Sequence, residues 1–160
     1  PLLLSEAIDS LITLLIPLAT LITPNLPEAT TFTGLTVQSE QQMRDMGQKL
    51  LDFGPKYVLL KGGHLDCSEN SNDLLLSTHG EFHWFKSPRI QTRNTHGTGC
   101  TLSAAVTACL AQKIEIVKAC EIAKTYLFNA IQATKEVSVG LGNGPVHHFY
   151  HLWPIQFSDL

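Results

Sequence analysis

The stretch that most constrains the fold lies at residues 94–102 and reads Asn94-Thr95-His96-Gly97-Thr98-Gly99-Cys100-Thr101-Leu102. Strand-like residues lead into two closely spaced glycines, and small and apolar residues follow at once, which predicts a strand, a tight loop and a helix from Thr98 to about Gln112. The first N–H groups of a helix have no intrahelical partner, and the helix dipole favours negative charge there. Glycine also lets the backbone approach a ligand closely. The pattern therefore predicts a phosphate-binding loop.

Cys100 falls in the first turn of this predicted helix, where the dipole favours a thiolate. A base beside an anion-binding loop would suit phosphoryl transfer to a hydroxyl group. A cysteine at such a position is also commonly a small buried apolar residue, so both interpretations stand. Two well-known phosphate loops are excluded, because no Gly-Lys-Ser/Thr follows and the third glycine of a dinucleotide-binding loop is missing.

The composition of the chain is that of an ordinary globular protein: 160 residues, 44% apolar and 16% charged, with a net charge of −3. This charge, without any Lys/Arg run, argues against a nucleic-acid partner. The apolar run Leu11–Ile22 is interrupted by Pro17 and is shorter than a membrane span, and no basic segment marks a signal peptide. Four cysteines without a C-x-x-C pair favour a reducing, cytoplasmic location without zinc. The chain starts at Pro1 and not at a methionine, which is compatible with a fragment of a longer protein.

Strand and helix patterns alternate along the chain, with one hairpin inserted. Such alternation predicts one α/β domain, with a mostly parallel sheet and helices on its faces. Polar loops after residues 24, 61 and 94 should lie at one edge of that sheet, because each follows a strand. The predicted segments are a helix from Ser5 to Pro17, a strand at 18–23, helices at about 27–34 and 39–53, a strand at 57–61, hairpin strands at 73–77 and 81–86, helices at 98–112 and 115–134, and a glycine loop at 140–144.

The histidine-rich tail allows two interpretations. His147 and His151 stand four residues apart, which would suit a metal site if the tail were helical. The neighbouring aromatic residues Phe149, Tyr150 and Trp153 favour a packed terminal strand or plug instead. Cys109 and Cys120 fall on apolar helix positions and are predicted to lie in the core.

Four blocks of sequence resemble the hydroxymethylpyrimidine/phosphomethylpyrimidine kinases of thiamine biosynthesis. They are Leu21-Ile22-Thr23-Pro24-Asn25-Leu26-Pro27-Glu28-Ala29, Val58-Leu59-Leu60-Lys61-Gly62-Gly63-His64, residues 94–105, and Gly144-Pro145-Val146-His147-His148-Phe149. The resemblance implies a ribokinase-like fold: a three-layer α/β/α sandwich with a mostly parallel sheet and a β-hairpin. It also implies ATP and Mg²⁺ as cofactors, a small-molecule pyrimidine as acceptor, and no nucleic-acid or membrane partner. Homodimers are common in the family.

The resemblance also implies roles for individual residues. Asn25 and Glu28 match an Asn-x-x-Glu motif that holds Mg²⁺ and orients the nucleotide phosphates, although Glu28 could simply complement the dipole of its helix. Lys61 matches the lysine that neutralises phosphate charge, the alternative being an exposed lysine at a strand end. Gly97, Thr98, Gly99 and Cys100 match the anion hole, and we expect Cys100 to take or guide the proton of the attacking hydroxymethyl group.

A complete kinase of this family is longer and begins with a strand and a glycine-rich segment that supply most of the acceptor pocket. We therefore expect residues 1–160 to be the C-terminal, nucleotide-binding part of a single ribokinase-like kinase domain. Without the early elements, apolar surface and strand edges should be exposed, and the chain alone should be inactive. Two alternatives remain open at this stage, a pyridoxal-type vitamin kinase and a non-catalytic nucleotide-binding module.

Overall fold

The computed structural model describes residues 5–63, 69–134 and 141–152. The chain divides into two compact units, Pro1–Arg89 and Ile90–Leu160. The first unit contains a four-stranded sheet and three α-helices, and the second contains two α-helices that pack on each other. No helix in the described ranges combines the length and the apolar composition that crossing a bilayer requires.

The first unit begins with a series of helical turns. Helix α1 spans Ser5–Ser10, continues as a π-helical turn over Leu11–Leu15 and ends in a 3-10 turn over Ile16–Leu18. The predicted helix is confirmed, and it stops around Pro17 because the proline ring cannot continue a helical hydrogen-bond ladder. The strand that follows is shorter than predicted, since β1 spans only Leu21–Ile22.

Two capped helices lie between β1 and the next strand. Helix α2 spans Leu26–Thr33 and ends at Gly34, whose φ of 72° is the left-handed conformation that glycine adopts readily. Helix α3 spans Glu40–Leu51, and the Ser39 side chain accepts the Gln42 N–H at its start. The Gln42 side chain does not complete a capping box with Ser39, because its Oε1 accepts the N–H of Gln38 at 2.7 Å.

The sheet of the first unit is mixed. Strand β2 spans Tyr57–Lys61 and pairs parallel with β1. Strands β3 (Asp73–Ser77) and β4 (Phe82–Phe85) form the predicted hairpin, and β3 pairs antiparallel with β2, giving the order β1-β2-β3-β4. The expectation of a mostly parallel sheet is therefore wrong for the described strands. The chain returns from β2 to β3 within residues 62–72, fewer than the dozen or more that a parallel crossover takes.

The core of the first unit lies where α2 and α3 pack against the sheet. Burial of aliphatic and thioether side chains is the main stabilising contribution here. The buried residues of this core are Leu26, Ala29, Met43, Met46, Leu50, Leu51, Val58, Leu60, Leu74 and Leu76. In contrast, Leu14, Leu15 and Leu18 beside β1 are 70%, 59% and 80% exposed. This exposure, next to the edge strand β1, matches the apolar surface that the family resemblance predicts.

The second unit is built on a helical pair. Helix α4 spans Thr98–Ala111 and packs against α5, which spans Ile116–Gln132. The Glu115 side chain caps α5 by accepting the Val117 N–H at 3.0 Å. Both helices agree with their predicted bounds to within two residues.

Two strands were expected in the second unit, the one in the tail as an alternative to a plug, and neither occurs in its described residues. No strand precedes α4 in the described residues; the Thr92 hydroxyl accepts the Asn94 N–H at 3.1 Å, and such local side-chain bonds compete with strand pairing. The tail forms turns at residues 148–152 rather than a strand, and Phe149 is 48% exposed. The Tyr126 hydroxyl ties these turns to α5 by donating to the His148 carbonyl at 2.9 Å. Trp153 lies outside the described residues.

Candidate functional site

Asn25 and Glu28 hold each other at the start of α2. The Glu28 N–H donates to Asn25 Oδ1 at 2.8 Å, and the Asn25 N–H donates to Glu28 Oε2 at 2.7 Å. This is a complete capping box, so the role of Glu28 at the helix start, given above as the alternative, is realised. The carboxylate is exposed and its Oε1 has no hydrogen-bond partner among the described residues, which leaves one hard oxygen available to a ligand.

Lys61 lies beside this cap. Its N–H donates to the Pro24 carbonyl at 2.9 Å, and a parallel β-bridge pairs it with Asn25. The expectation that the loops after residues 24 and 61 meet at one sheet edge is therefore confirmed. The Lys61 side chain is partly buried, and its ammonium group forms no ion pair or hydrogen bond within the described ranges. A lysine without a protein partner at the end of a buried strand can serve a ligand anion.

The start of α4 is open to a ligand. Gly97 is the N-cap, with a φ of 77° and no side-chain capping bond. The first α4 amide with a full helical hydrogen bond is that of Thr101, which donates to the Gly97 carbonyl at 2.9 Å. The N–H groups of Gly99 and Cys100 have no partner in the described part of the chain. Unpaired amides at a helix N-terminus are a site that favours phosphate.

The three cysteines that the structure describes fall into two kinds. Cys100 is exposed, whereas Cys109 and Cys120 are buried, as predicted for core positions. Cys100 is therefore not the buried apolar residue of the alternative interpretation. Its thiol lies on the turn of α4 that carries the open amides.

The loop before α4 is anchored by a residue that the sequence did not single out. Asn94 is 7% exposed, and its Nδ2 donates to the Thr134 carbonyl at 2.7 Å, just beyond the end of α5. The His96 N–H donates to the Gly144 carbonyl at 3.0 Å, which joins the loop to residues 141–146. The sequence signal that could have identified Asn94 is a polar residue shortly before a glycine loop. If such a side chain is buried, its amide group is nearly always hydrogen-bonded.

The predicted site residues are distributed over both units. Asn25, Glu28 and Lys61 meet in the first unit, and residues 97–100 form the open helix start in the second. The meeting of these two groups at one edge stays a prediction. His64 and Gly140 of the quoted motifs lie outside the described residues. No group of three or more His, Cys, Asp or Glu side chains that could hold a metal occurs within residues 5–63, 69–134 and 141–152.

Comparison with protein families assigns the chain. The family model described as phosphomethylpyrimidine kinase matches residues 1–147. The chain belongs to the phosphomethylpyrimidine kinase family. The family resemblance drawn from the four sequence blocks is thereby confirmed.

Among curated members of this family, the hydroxymethylpyrimidine/phosphomethylpyrimidine kinase of Escherichia coli strain K12 is 45% identical over 154 residues. The alignment covers 96% of this chain and 57% of the E. coli protein. The chain thus spans a little more than half the length of that relative.

Solved structures confirm the ribokinase-like α/β fold. The ADP complex of Bacillus subtilis pyridoxal kinase superimposes with a TM-score of 0.84 at 36% identity, covering 93% of this chain and 57% of that one. A phosphomethylpyrimidine kinase from Clostridium difficile gives a TM-score of 0.68 at 42% identity, covering 81% and 51%. The solved structures that this chain resembles therefore include a pyridoxal kinase and a phosphomethylpyrimidine kinase.

Proposed function

We propose that the chain is the nucleotide-binding part of a kinase that phosphorylates 4-amino-5-hydroxymethyl-2-methylpyrimidine and then its monophosphate. The observation that carries the proposal is the open start of α4, where Gly97 is left-handed and the Gly99 and Cys100 amides find no partner among the described residues. Such amides bind a polyphosphate without further side chains. The B. subtilis neighbour, a kinase of the same fold, was crystallised with ADP.

ATP is the phosphoryl donor in this proposal. The hydroxymethyl oxygen of the pyrimidine attacks the γ-phosphorus, and the bond from that phosphorus to the bridging oxygen of ADP breaks. The Cys100 side chain, which is exposed and accessible to an acceptor, takes or guides the proton of the hydroxyl group. Lys61 neutralises the charge on the transferring group, consistent with an ammonium that has no protein partner among the described residues.

The residues present fit Mg²⁺ as a companion of the nucleotide. Mg²⁺ keeps several waters and is held by one or two carboxylates plus substrate phosphates, not by a cage of side chains. Glu28 offers one such carboxylate, whose Oε2 accepts the Asn25 N–H and whose Oε1 has no partner in the part of the chain that the structure describes. When bound, the ion would supply neutralisation of phosphate charge. Asn25 and Glu28 would hold it, with their orientation set by the capping box.

Because the chain spans 57% of its E. coli relative, we propose that it binds Mg·ATP alone but turns over no acceptor. The test joins this chain to the N-terminal segment of the E. coli kinase that precedes the region similar to this chain. We call this fusion the complemented kinase. We expect ATP-dependent phosphorylation of the hydroxymethylpyrimidine by the complemented kinase, and Mg·ATP binding without turnover by the 160-residue chain.

Other outcomes would contradict parts of the proposal. Turnover by the chain alone would refute its dependence on an N-terminal part. A complemented kinase that folds and binds acceptor but transfers no phosphate would refute the kinase assignment. Absence of ATP binding by the chain would exclude both the kinase and a nucleotide-binding module.

Pyridoxal is a second candidate acceptor. The superposition on B. subtilis pyridoxal kinase, with its TM-score of 0.84, is the observation that favours it. The 45% identity to the E. coli pyrimidine kinase, against 36% to the pyridoxal kinase, places the pyrimidine first. The test fuses this chain to the N-terminal part of the E. coli kinase or of the B. subtilis kinase and measures kcat/KM for the pyrimidine and for pyridoxal. A substrate preference that is the same in both fusions must come from this chain.

A further inference from the structure

The backbone that follows Lys61 is held by charged side chains from elsewhere in the first unit. Asp73, the first residue of β3, accepts the Gly62 N–H on its Oδ1 at 3.0 Å. Arg89 Nη1 donates to the Gly63 carbonyl at 2.7 Å. The Lys61 N–H also donates to the Pro24 carbonyl, so each residue from Lys61 to Gly63 is hydrogen-bonded to a different segment of the first unit.

Asp73 is unusual for a carboxylate because it is only 5% exposed. A buried carboxyl group is costly unless it is hydrogen-bonded, and Asp73 accepts such a bond from the Gly62 N–H. In the antiparallel register Asp73 lies directly opposite Lys61, so both side chains project from the same face of the sheet. Asp73 therefore lies both opposite Lys61 in the sheet and against the backbone that follows it.

Gly62 itself leaves no room for adjustment. A Cβ on Gly62 would overlap the Asn72 carbonyl oxygen, so the backbone there packs directly on the residue before Asp73. The turn at Gly62 therefore depends on close contact with the start of β3. Displacing Asp73 would move Gly62, and with it the direction in which Lys61 leaves the sheet.

We propose that Asp73 is a positioning residue for Lys61. By binding the Gly62 N–H, its carboxylate sets the path of the chain after β2 and holds the Lys61 ammonium where it meets the transferring phosphate. This inference rests on the proposed function of Lys61. It predicts that Asp73 affects turnover only through Lys61, because a positioned group has no effect once the group it positions is removed.

The experiment is a double-mutant cycle in the complemented kinase, with kcat and KM for ATP as the measured quantities. Lys61→Ala should lower kcat about 10²- to 10³-fold. Asp73→Ala should lower it about 10- to 100-fold with a smaller change in KM, as expected for a misplaced group that acts in the transition state. In the Lys61→Ala background, Asp73→Ala should change kcat by less than about twofold. Asp73→Asn, which retains an acceptor for the Gly62 N–H, should keep kcat within about threefold of the unmodified enzyme.

Controls separate position from folding. Asp52→Ala, at an exposed acidic residue of the same unit, should leave kcat unchanged. If Asp73→Ala does not fold, Asp73→Leu replaces the carboxyl group by an apolar group of similar size that likewise cannot accept the Gly62 N–H. An Asp73 effect of equal size in the Lys61→Ala background, or no rescue by asparagine, overturns the positioning role. An unchanged kcat in Lys61→Ala overturns the proposed function of Lys61 instead.

Discussion

Asn94 and Gly144 share one tightly packed space, because a Cβ on Gly144 would overlap Oδ1 of Asn94. Gly144 is buried, and its carbonyl accepts the His96 N–H. The loop before α4 and the loop after α5 are thus joined through two contacts, one steric and one hydrogen-bonded. The absence of a side chain at Gly144 is what permits both.

Gly144→Ala should destabilise the second unit by about 1–3 kcal/mol, the usual cost of forcing an extra methyl group into a packed site. Urea unfolding followed by circular dichroism measures the free energy of unfolding. Gly142→Ala is the matched control, because Gly142 is exposed and a Cβ there would meet nothing within 4 Å. Equal effects of the two substitutions would contradict the proposed contact.

The sequence predicted the helices of this chain better than its sheet. Helices α3, α4 and α5 have apolar residues at regular spacing and recognisable caps such as Ser39 and Glu115, and these local signals fix their bounds. The parallel sheet was mispredicted because strand–helix alternation was weighed more heavily than the short connection between β2 and β3, which favours antiparallel pairing. The absent strand before α4 has a different cause, since Thr92 and Asn94 form a local hydrogen bond that alternation rules ignore.

The sequence singled out the residues that we propose to face a ligand, and it missed the residues that support them. Gly97, Cys100 and Lys61 carry chemistry that a sequence displays directly. Asp73 and Asn94 act through buried hydrogen bonds to Gly62 and Thr134, residues 11 and 40 positions away along the chain. Such partners become visible only when the fold brings them together.

Glu28→Gln should separate the two roles of Glu28. Glutamine at the third helical position also completes a capping box, so the free energy of unfolding should change by less than about 0.5 kcal/mol. The lost charge should weaken Mg²⁺-dependent ATP binding by about tenfold or more, because a neutral amide is a poor Mg²⁺ ligand. Calorimetric titration of ATP at fixed Mg²⁺ concentrations measures this.

Two further variants test the helix cap and the specificity of the Glu28→Gln effect. Asn25→Ala removes the side-chain cap and should cost about 1 kcal/mol of stability. Glu40→Gln, at another first-turn carboxylate, should leave ATP binding unchanged. Unaltered Mg²⁺ dependence in Glu28→Gln would assign the residue to helix capping alone.

Thiol labelling should distinguish Cys100 from the other cysteines. In a Cys67→Ser background, chosen because Cys67 lies outside the described residues, iodoacetamide should modify Cys100 and leave the buried Cys109 and Cys120 unmodified in the folded chain. Peptide mass spectrometry locates the label. Mg·ATP should slow the labelling of Cys100, since the proposed phosphate site includes its own amide.

Two labelling results would contradict these expectations. Modification of Cys109 at a rate similar to that of Cys100 would contradict the burial of α4. Labelling of Cys100 that is fast but indifferent to saturating Mg·ATP would place the nucleotide away from the start of α4.

The exposed leucines beside β1 should drive self-association of the 160-residue chain. Leu14, Leu15 and Leu18 lie on successive helical turns and are 59–80% exposed, and adjacent apolar side chains of this kind are favourable to bury. Replacing Leu15 and Leu18 by lysine should lower the average mass seen by sedimentation velocity at micromolar concentrations. Leu141→Lys is the control. Leu141 is fully exposed in the second unit, and no described residue next to it in sequence is an apolar residue of similar exposure.

In the complemented kinase the lysine pair should reduce activity if the N-terminal part covers these leucines. A chain that stays monomeric at all concentrations, or an equal response to Leu141→Lys, would show that this surface does not associate.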